Sequence, residues 1–245
     1  MNKLLIFGGT TEGRELSEWC AENGMSADVS VTTDYGARLL GRSEHLNVFT
    51  GKLDCREMKT LITAGSYTAV IDATHPYATE ATENIREACK EAEAQYFRLL
   101  RRKSELSGKC VNSLSGLVDV LNETDKTVLS TLGSKELPEL AKVRDPRRIW
   151  IRVLPAVGIE DHCASYGFDR SHIILGKGPF TVQENIAHIR QSGAEIIVTK
   201  ECGAAGGYPE KCEAARVCGI ETLTLTRPEE EGYSFDELIK VLKEL

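Results

Sequence analysis

The sequence predicts an α/β protein of two Rossmann-like, doubly wound domains with mainly parallel sheets and a cleft between them. Short apolar runs alternate with helical patterns along most of the chain, which is typical of βαβ units and parallel sheets. The alternation pauses once, in the polar stretch 101–125, with about five strands on each side of it. The first predicted strand also runs directly into a glycine-rich loop that opens a helix.

Five strands are predicted before the polar stretch, each a short run of apolar or β-branched residues. They cover Lys3–Phe7, Ala27–Val31, His45–Phe49, Tyr67–Asp72 and Gln95–Leu99. Apolar residues at helical spacing predict the helices between them. These cover Gly13–Asn23, Glu57–Ala64 and Thr79–Ala94.

The second half repeats this organisation after one helix at Ser115–Asn122. Its strands are predicted at Lys126–Leu132, Ile149–Leu154, His172–Leu175, Glu195–Thr199 and Glu221–Leu225. Its helices are predicted at Lys135–Val143, Ile159–Tyr166, Thr181–Ser192, Pro209–Cys218 and Phe235–Leu245. A single sheet of ten strands is the alternative, but open sheets that wide are uncommon. We therefore expect one domain at 1–124 and a second at 125–245, each near the usual domain size.

Composition excludes several classes of protein. The chain has 245 residues, of which 41% are hydrophobic and 27% charged, and this balance argues against disorder. A formal net charge of −7 disfavours binding to nucleic acid or to acidic membranes. No apolar run approaches the ~20 residues of a membrane span, and no signal peptide is recognised, so we expect a cytoplasmic protein. The eight cysteines are scattered without a C-x-x-C pair, which favours buried thiols over a metal site.

The loop Gly8-Gly9-Thr10-Thr11-Glu12-Gly13 is the clearest candidate binding motif. Glycines let the backbone approach a pyrophosphate, and the following helix presents free N–H groups to the phosphates. The pattern is not the strict G-x-G-x-x-G, and a tight turn that needs positive φ is the alternative. We expect Gly8, Gly9, Thr10, Glu12 and Gly13 to hold a dinucleotide, which makes 1–124 the dinucleotide-binding domain.

The end of the second strand favours NADP over NAD. NAD sites usually place Asp or Glu there to bind the ribose 2′-hydroxyl. Here the strand ends at Thr32 and Thr33, with Arg38 following, and these groups suit a 2′-phosphate better. Asp34 keeps NADH open as the less favoured cofactor. No P-loop lysine follows the glycines, and the absence of Tyr-x-x-x-Lys disfavours a short-chain dehydrogenase.

A second candidate segment, Asp72–Ala78, leaves the carboxyl end of a predicted strand. Ligands of parallel sheets bind at this end, so Thr74 is expected beside a nicotinamide ring. His75 is the candidate catalytic residue, because imidazole exchanges protons near neutral pH. The alternative is that Pro76 only sets the turn before the next helix.

Cations and glycines recur in the strand-end loops of the second half. The cations are Lys135, Arg152, Lys177, Lys200 and Lys211. A single lysine is usually an ordinary surface charge, but the recurrence at successive strand ends predicts an anion-binding face. It indicates a ligand with several carboxylates or phosphates.

These motifs together resemble the precorrin-6A reductase family of corrin-ring biosynthesis. The resemblance rests on Gly8–Gly13, Asp72–Ala78, Gly133–Lys135, Arg152–Pro155, Gly176–Thr181, Thr199–Lys211 and Arg227-Pro228. It implies NADPH-dependent reduction of one double bond of precorrin-6A, or of its cobalt form, to give precorrin-6B or its cobalt form. It also implies a polycarboxylate tetrapyrrole substrate in the cleft, with neighbouring pathway enzymes as partners.

The resemblance also implies a role for each candidate residue. Thr32, Thr33 and Arg38 would lie near the adenosine ribose, and Thr74, His75 and Tyr77 near the nicotinamide and the macrocycle. The five cations of the second half would bind substrate carboxylates. Two alternatives remain: a non-redox, lyase-like tetrapyrrole enzyme, and a nucleotide-sensing protein without turnover.

Overall fold

The computed structural model describes residues 3–102 and 104–245, which form two compact units. The first unit holds the described residues up to Arg102 together with Glu229–Leu245. The second holds those that follow, up to Pro228. Each unit contains one parallel sheet with helices, so the α/β class and the doubly wound, mainly parallel architecture are confirmed.

The sheet of the first unit has five parallel strands in the order β3-β2-β1-β4-β5. Their bounds are β1 Lys3–Phe7, β2 Ser26–Val31, β3 Leu46–Thr50, β4 Ala69–Asp72 and β5 Tyr96–Arg98. The helices between them are α1 Thr11–Glu22, α2 Asp34–Leu39, α3 Cys55–Gly65 and α4 Thr79–Glu91. The strand order reverses between β1 and β4, and ligands of doubly wound sheets bind at such a point.

The sheet of the second unit has six parallel strands in the order β6-β11-β10-β7-β8-β9. Their bounds are β6 Lys109–Val111, β7 Val128–Ser130, β8 Ile149–Val153, β9 Ile173–Leu175, β10 Ile196–Lys200 and β11 Glu221–Leu225. The helices are α5 Leu114–Asn122, α6 Leu137–Leu140, α7 Ile159–Ser165, α8 Val182–Ser192 and α9 Tyr208–Cys218. The last helix of the chain, α10 Phe235–Glu244, belongs to the first unit.

The central strand β1 explains why the first unit forms around it. Leu4 and Ile6 lie in one buried cluster and Leu5 and Phe7 in another, because successive side chains of a strand point to opposite faces. Helices cover both faces of a parallel sheet, so the strand is apolar throughout rather than alternating. Leu238 of α10 is fully buried in the first of these clusters.

The structure divides the chain at a different place from the predicted boundary between 124 and 125. The reason is that β6 pairs with β11 in the second sheet, so the chain has already entered the second unit before α5. The segment Glu229–Leu245 then returns to the first unit. The elements β6 and α2 were not predicted from the sequence, and the two separate sheets replace the alternative of one continuous sheet.

Candidate active site

The glycine loop connects β1 to α1 and contacts the loop that follows β4. Thr10 caps α1: its hydroxyl accepts from the backbone N–H of Gly13 at 3.1 Å. The same hydroxyl donates to the carbonyl of Ala73 at 2.8 Å. One side chain therefore joins the two loops at the point where the strand order reverses.

Two glycines of this loop are required for different reasons. Gly9 has φ +111°, a conformation that costs other residues backbone strain. A Cβ on Gly13 would lie 3.1 Å from Cβ of Ala73 and 3.3 Å from Cα of Gly8. Gly13 therefore permits the close approach of α1 to the sheet, and Gly9 permits the turn.

A cavity of about 210 Å³ opens beside the loop, between α1 and the end of β2. The lining combines loop backbone, hydroxyls, apolar side chains and one guanidinium. It consists of Gly8, Gly9, Thr10, Thr11, Gly13, Arg14, Val29, Val31, Thr32, Thr33, Tyr35, Gly36, Leu39 and Leu40. Such a mixture suits a ligand with an anionic part and an apolar ring.

The cavity brings together six of the predicted cofactor residues but not the other three. Gly8, Gly9, Thr10, Gly13, Thr32 and Thr33 line it. The hydroxyl of Thr33 is already engaged as the N-cap of α2, where it accepts from the N–H of Gly36 at 3.1 Å. The remaining three, Glu12, Arg38 and Thr74, face other partners or other surfaces.

Glu12 does not line the cavity, and its carboxylate is paired with Arg101. The Arg101 guanidinium donates to it at 3.0 Å, and both side chains are largely buried. Arg38 lies on a separate groove of about 820 Å³, beside Asp34 and Arg42. Glu12 is therefore held in an ion pair, and Arg38 lines the neighbouring groove rather than the cavity. Their predicted roles at the pyrophosphate and at the ribose stay predictions.

The segment after β4 is organised by the fully buried carboxylate of Asp72. The Thr74 hydroxyl donates to it at 2.6 Å, Tyr96 at 3.1 Å and the Arg98 guanidinium at 2.8 Å. Burial and the charge of Asp72 raise the pKa of Tyr96 above its ordinary value. Thr74 thus holds the loop in shape, and its hydroxyl is not directed at the glycine-loop cavity.

Residues close to the C-terminus support this loop from the far side. Glu230 accepts from Arg98 at 2.7 Å and 3.0 Å. Tyr233 exchanges backbone hydrogen bonds with the end of β5, and a Cβ on Gly232 would lie 2.5 Å from the Arg98 carbonyl. We call 229–233 the C-terminal strap; it holds Arg98 against Asp72.

His75 and Tyr77 follow in the same loop. The backbone N–H of Tyr77 donates to Nδ1 of His75 at 3.3 Å, and the two ring centroids are 5.8 Å apart. A neutral ring whose Nδ1 accepts carries its proton on Nε2. His75 is exposed and Tyr77 half-buried.

In the second unit, the strand-end loops with cations and glycines lie along one edge of the sheet, because every strand pairing is parallel. Lys135 and Lys177 are exposed at this edge. Lys200 is half-buried and forms an ion pair with Glu136. Binding of an anionic ligand by these three residues stays a prediction.

Arg152 and Lys211 are buried instead. Arg152 donates to Asn185 Oδ1 at 2.7 Å and lies 4.2 Å from the ring centroid of Phe180, and burial lowers its pKa to about 10. Lys211 donates to the Gly206 carbonyl at 3.0 Å, and burial lowers its pKa as well. Both cations are thus engaged within the protein, Arg152 with α8 and Phe180, and Lys211 with the loop at Gly206. Their contact with a ligand stays a prediction.

Several residues at the site were not predicted from the sequence. Arg14 and Tyr35 line the cavity, and Arg14 follows Gly13 directly, so its place in the first turn of α1 was the available signal. No local pattern in the sequence indicated the ion pairs of Arg98 and Arg101. Arg98 is 132 positions from Glu230, and Arg101 is 89 positions from Glu12.

The described residues, 3–102 and 104–245, include neither a membrane-spanning helix nor a cluster of metal-binding side chains. No helix among them has the length and apolar character to cross a membrane. Within the same ranges, no group of three or more His, Cys, Asp or Glu side chains is placed to hold a metal ion.

Comparison with known proteins gives a consistent result. The family model described as precorrin-6x reductase CbiJ/CobK matches residues 3–243. The cobalt-precorrin-6A reductase of Methanothermobacter thermautotrophicus is 30% identical, over 99% of this chain and 85% of that protein.

The cobalt-precorrin-6A reductase of Priestia megaterium is also 30% identical, over 98% of this chain and 97% of that protein. A solved structure, CobK precorrin-6A reductase, has a TM-score of 0.74 at 22% identity and covers 100% of this chain and 97% of that one. The chain therefore belongs to the precorrin-6x reductase family.

Proposed function

We propose that this protein uses NADPH to reduce one double bond of precorrin-6A or of cobalt-precorrin-6A, giving precorrin-6B or its cobalt form respectively. Family membership supports the reductase activity. The cavity beside the glycine loop carries the cofactor part of the proposal, since its lining combines the N-terminal turns of α1 with the segments that follow two parallel strands, β1 and β2.

The residues present fit a dinucleotide. Gly9 leaves open space where any other residue would place a Cβ, so a diphosphate can approach the backbone. The first turn of α1 directs N–H groups and the positive end of the helix dipole at the same place. Tyr35, Leu39 and Leu40 supply an apolar wall for an adenine ring. When bound, NADPH supplies the hydride.

The protein's own residues provide orientation and a proton. The Asp72–Arg98 network fixes the loop that carries His75, close to the glycine loop. We assign His75 as the candidate proton donor, with Tyr77 beside it near the macrocycle. Lys135, Lys177 and Lys200 are the candidate residues for substrate carboxylates, because they lie at the loop edge of the second sheet.

The substrate is proposed to be the cobalt form, because both curated relatives described above carry that name. The test is a turnover assay with each macrocycle and with NADPH that carries deuterium at the transferred position. We expect the cofactor to be oxidised and the product to gain one deuterium from it. Oxidation without labelled product, or no binding of either nicotinamide cofactor, would reject the proposed reaction.

The two alternative functions give different results in the same assay. A non-redox enzyme would change the macrocycle with no consumption of NADPH. A nucleotide sensor would bind NADPH and leave both compounds unchanged.

A further inference from the structure

We propose that Arg14 binds the 2′-phosphate of NADPH and is the residue that makes the protein select NADPH over NADH. The inference rests on the proposed function, because it assigns the cofactor specificity of the same cavity. It replaces Arg38, which the sequence indicated for this role and which the structure places elsewhere.

The charge of the cavity lining is the first argument. Among the described residues that line it, Arg14 is the one with a charged side chain; the others are glycine, threonine, tyrosine or aliphatic. No carboxylate is present there to bind a ribose 2′-hydroxyl, which is the usual device of NAD sites. Asp34, which directly follows Thr33, lines the neighbouring groove. The cavity therefore offers a cation for a 2′-phosphate and no carboxylate for an unmodified ribose.

The accessibility of Arg14 is the second argument. Its guanidinium donates to Glu18 at 2.8 Å, four residues along the same helix, with 37% and 41% of the two side chains exposed. Exposed pairs of this kind contribute little to stability. A phosphate carries more charge than a carboxylate and accepts two parallel N–H bonds from a guanidinium. Arg14 can therefore exchange Glu18 for a phosphate at small cost.

The position of Arg14 is the third argument. It lies in the first turn of α1, directly after Gly13, and shares the lining with Thr32 and Thr33 at the end of β2. The 2′-position of a dinucleotide bound across a glycine loop lies near the end of the second strand. Arg14 therefore lines the cavity from the side of α1, opposite the residues that follow β2.

The test compares cofactor affinities of the full-length protein by calorimetric titration. For Arg14→Gln we expect the Kd for NADPH to rise about ten- to a hundredfold, as for loss of hydrogen bonds between charged groups. The Kd for NADH is expected to stay within about twofold, because NADH lacks the phosphate. Arg14→Lys retains the charge without the planar fork, and its NADPH affinity should be intermediate.

The matched control is Arg38→Gln, which removes the same charge from the neighbouring groove and should leave both Kd values unchanged. An equal loss of NADPH and NADH affinity in Arg14→Gln, or a selective loss of NADPH in Arg38→Gln, would overturn the assignment. In the unaltered protein, the Kd for NADPH should also depend more steeply on salt concentration than the Kd for NADH, and this result would support the assignment without any variant. If the unaltered protein bound neither cofactor, the proposed function itself would fail, which is a distinguishable result.

Discussion

Arg98, with 2% of its side chain exposed, donates to Asp72 at 2.8 Å and to Glu230 at 2.7 Å. One guanidinium thus connects the loop after β4 with the C-terminal strap, from positions far apart in the chain. Asp72 is fully buried, and its carboxylate depends on this partner and on two hydroxyls. The shape of the loop that carries His75 is therefore set by a contact made near the end of the chain.

Replacement of Arg98 by Leu should destabilise the first unit by about 3–5 kcal/mol, because it leaves the Asp72 and Glu230 carboxylates uncompensated. Urea denaturation measures the change. Arg56→Leu is the matched control, since Arg56 is exposed on α3 and its loss should cost less than about 0.5 kcal/mol. Equal stability of the two variants would show that the buried network contributes nothing.

Thr10→Val should remove both the cap of α1 and the bond to the Ala73 carbonyl. Loss of an N-cap costs about 0.5–2 kcal/mol, and the displaced loop should also weaken NADPH binding. Thr10→Ser keeps the hydroxyl and should behave like the unaltered protein. The prediction is contradicted if the serine variant loses as much affinity, in a titration, as the valine variant.

A comparison of Gly13→Ala with Gly24→Ala distinguishes the effect of close packing from the effect of backbone strain. The Cβ on Gly13 would meet Ala73 at 3.1 Å and push α1 from the sheet, at a cost of about 1–3 kcal/mol. Gly24 has φ +68° with open space around it, so its substitution strains the turn after α1 only. Both variants should unfold earlier on heating, but Gly13→Ala alone should bind NADPH more weakly. The idea fails if Gly24→Ala weakens binding equally.

His188 should make the second unit sensitive to acid. Burial and the nearby Arg152 lower the pKa of His188 below 6.5, and Arg152 donates to its ring at 3.1 Å. Because the folded-state pKa is depressed, the unfolded chain binds more protons in this range, and stability falls as the pH drops below about 6.5.

His188→Asn keeps an acceptor for Arg152 without a titrating ring. Thermal denaturation between about pH 5 and pH 7 should then show that the stability of this variant falls less steeply toward low pH than that of the unaltered protein. The exposed His162 provides the control, and His162→Asn should keep the steeper fall. Parallel curves for the unaltered protein and His188→Asn would contradict the prediction.

His75→Gln should lower kcat by about a hundred- to ten-thousandfold, the usual contribution of a general acid. The Kd for NADPH should be unchanged, because His75 does not line the glycine-loop cavity. Stopped-flow measurement of cofactor oxidation with the macrocycle present gives the rate. Full turnover by His75→Ala would remove this residue from the mechanism and leave the substrate or water as the proton source.

Much of the fold was predictable because its strands are buried on both faces and read as apolar runs. The elements that escaped prediction lack that signal. The strand β6 has three residues, two of them exposed, and α2 has six residues with none buried. The boundary between the units was misplaced for the same reason, since the pairing of β6 with β11 joins residues more than a hundred positions apart.

The site was predictable only where its residues are local in sequence. The glycine loop and the segment Asp72–Ala78 each lie next to the strand that positions them. The pairing of Glu12 with Arg101, 89 positions along the chain, depends on tertiary packing. A single sequence carries no periodicity or spacing that reports such contacts.

The return of the last helix to the first unit has a consequence for synthesis of the protein. Leu238 and Leu242 of α10 fill the core around β1, yet they follow the entire second unit in the chain. A ribosome adding about 5–20 residues per second needs several seconds to reach them after the fifth strand has emerged. During this interval the nascent first sheet exposes an apolar face, while the second unit, being continuous in sequence, can complete its own core first. Chaperone binding and proteolytic vulnerability should therefore concentrate on the half of the protein that is made first.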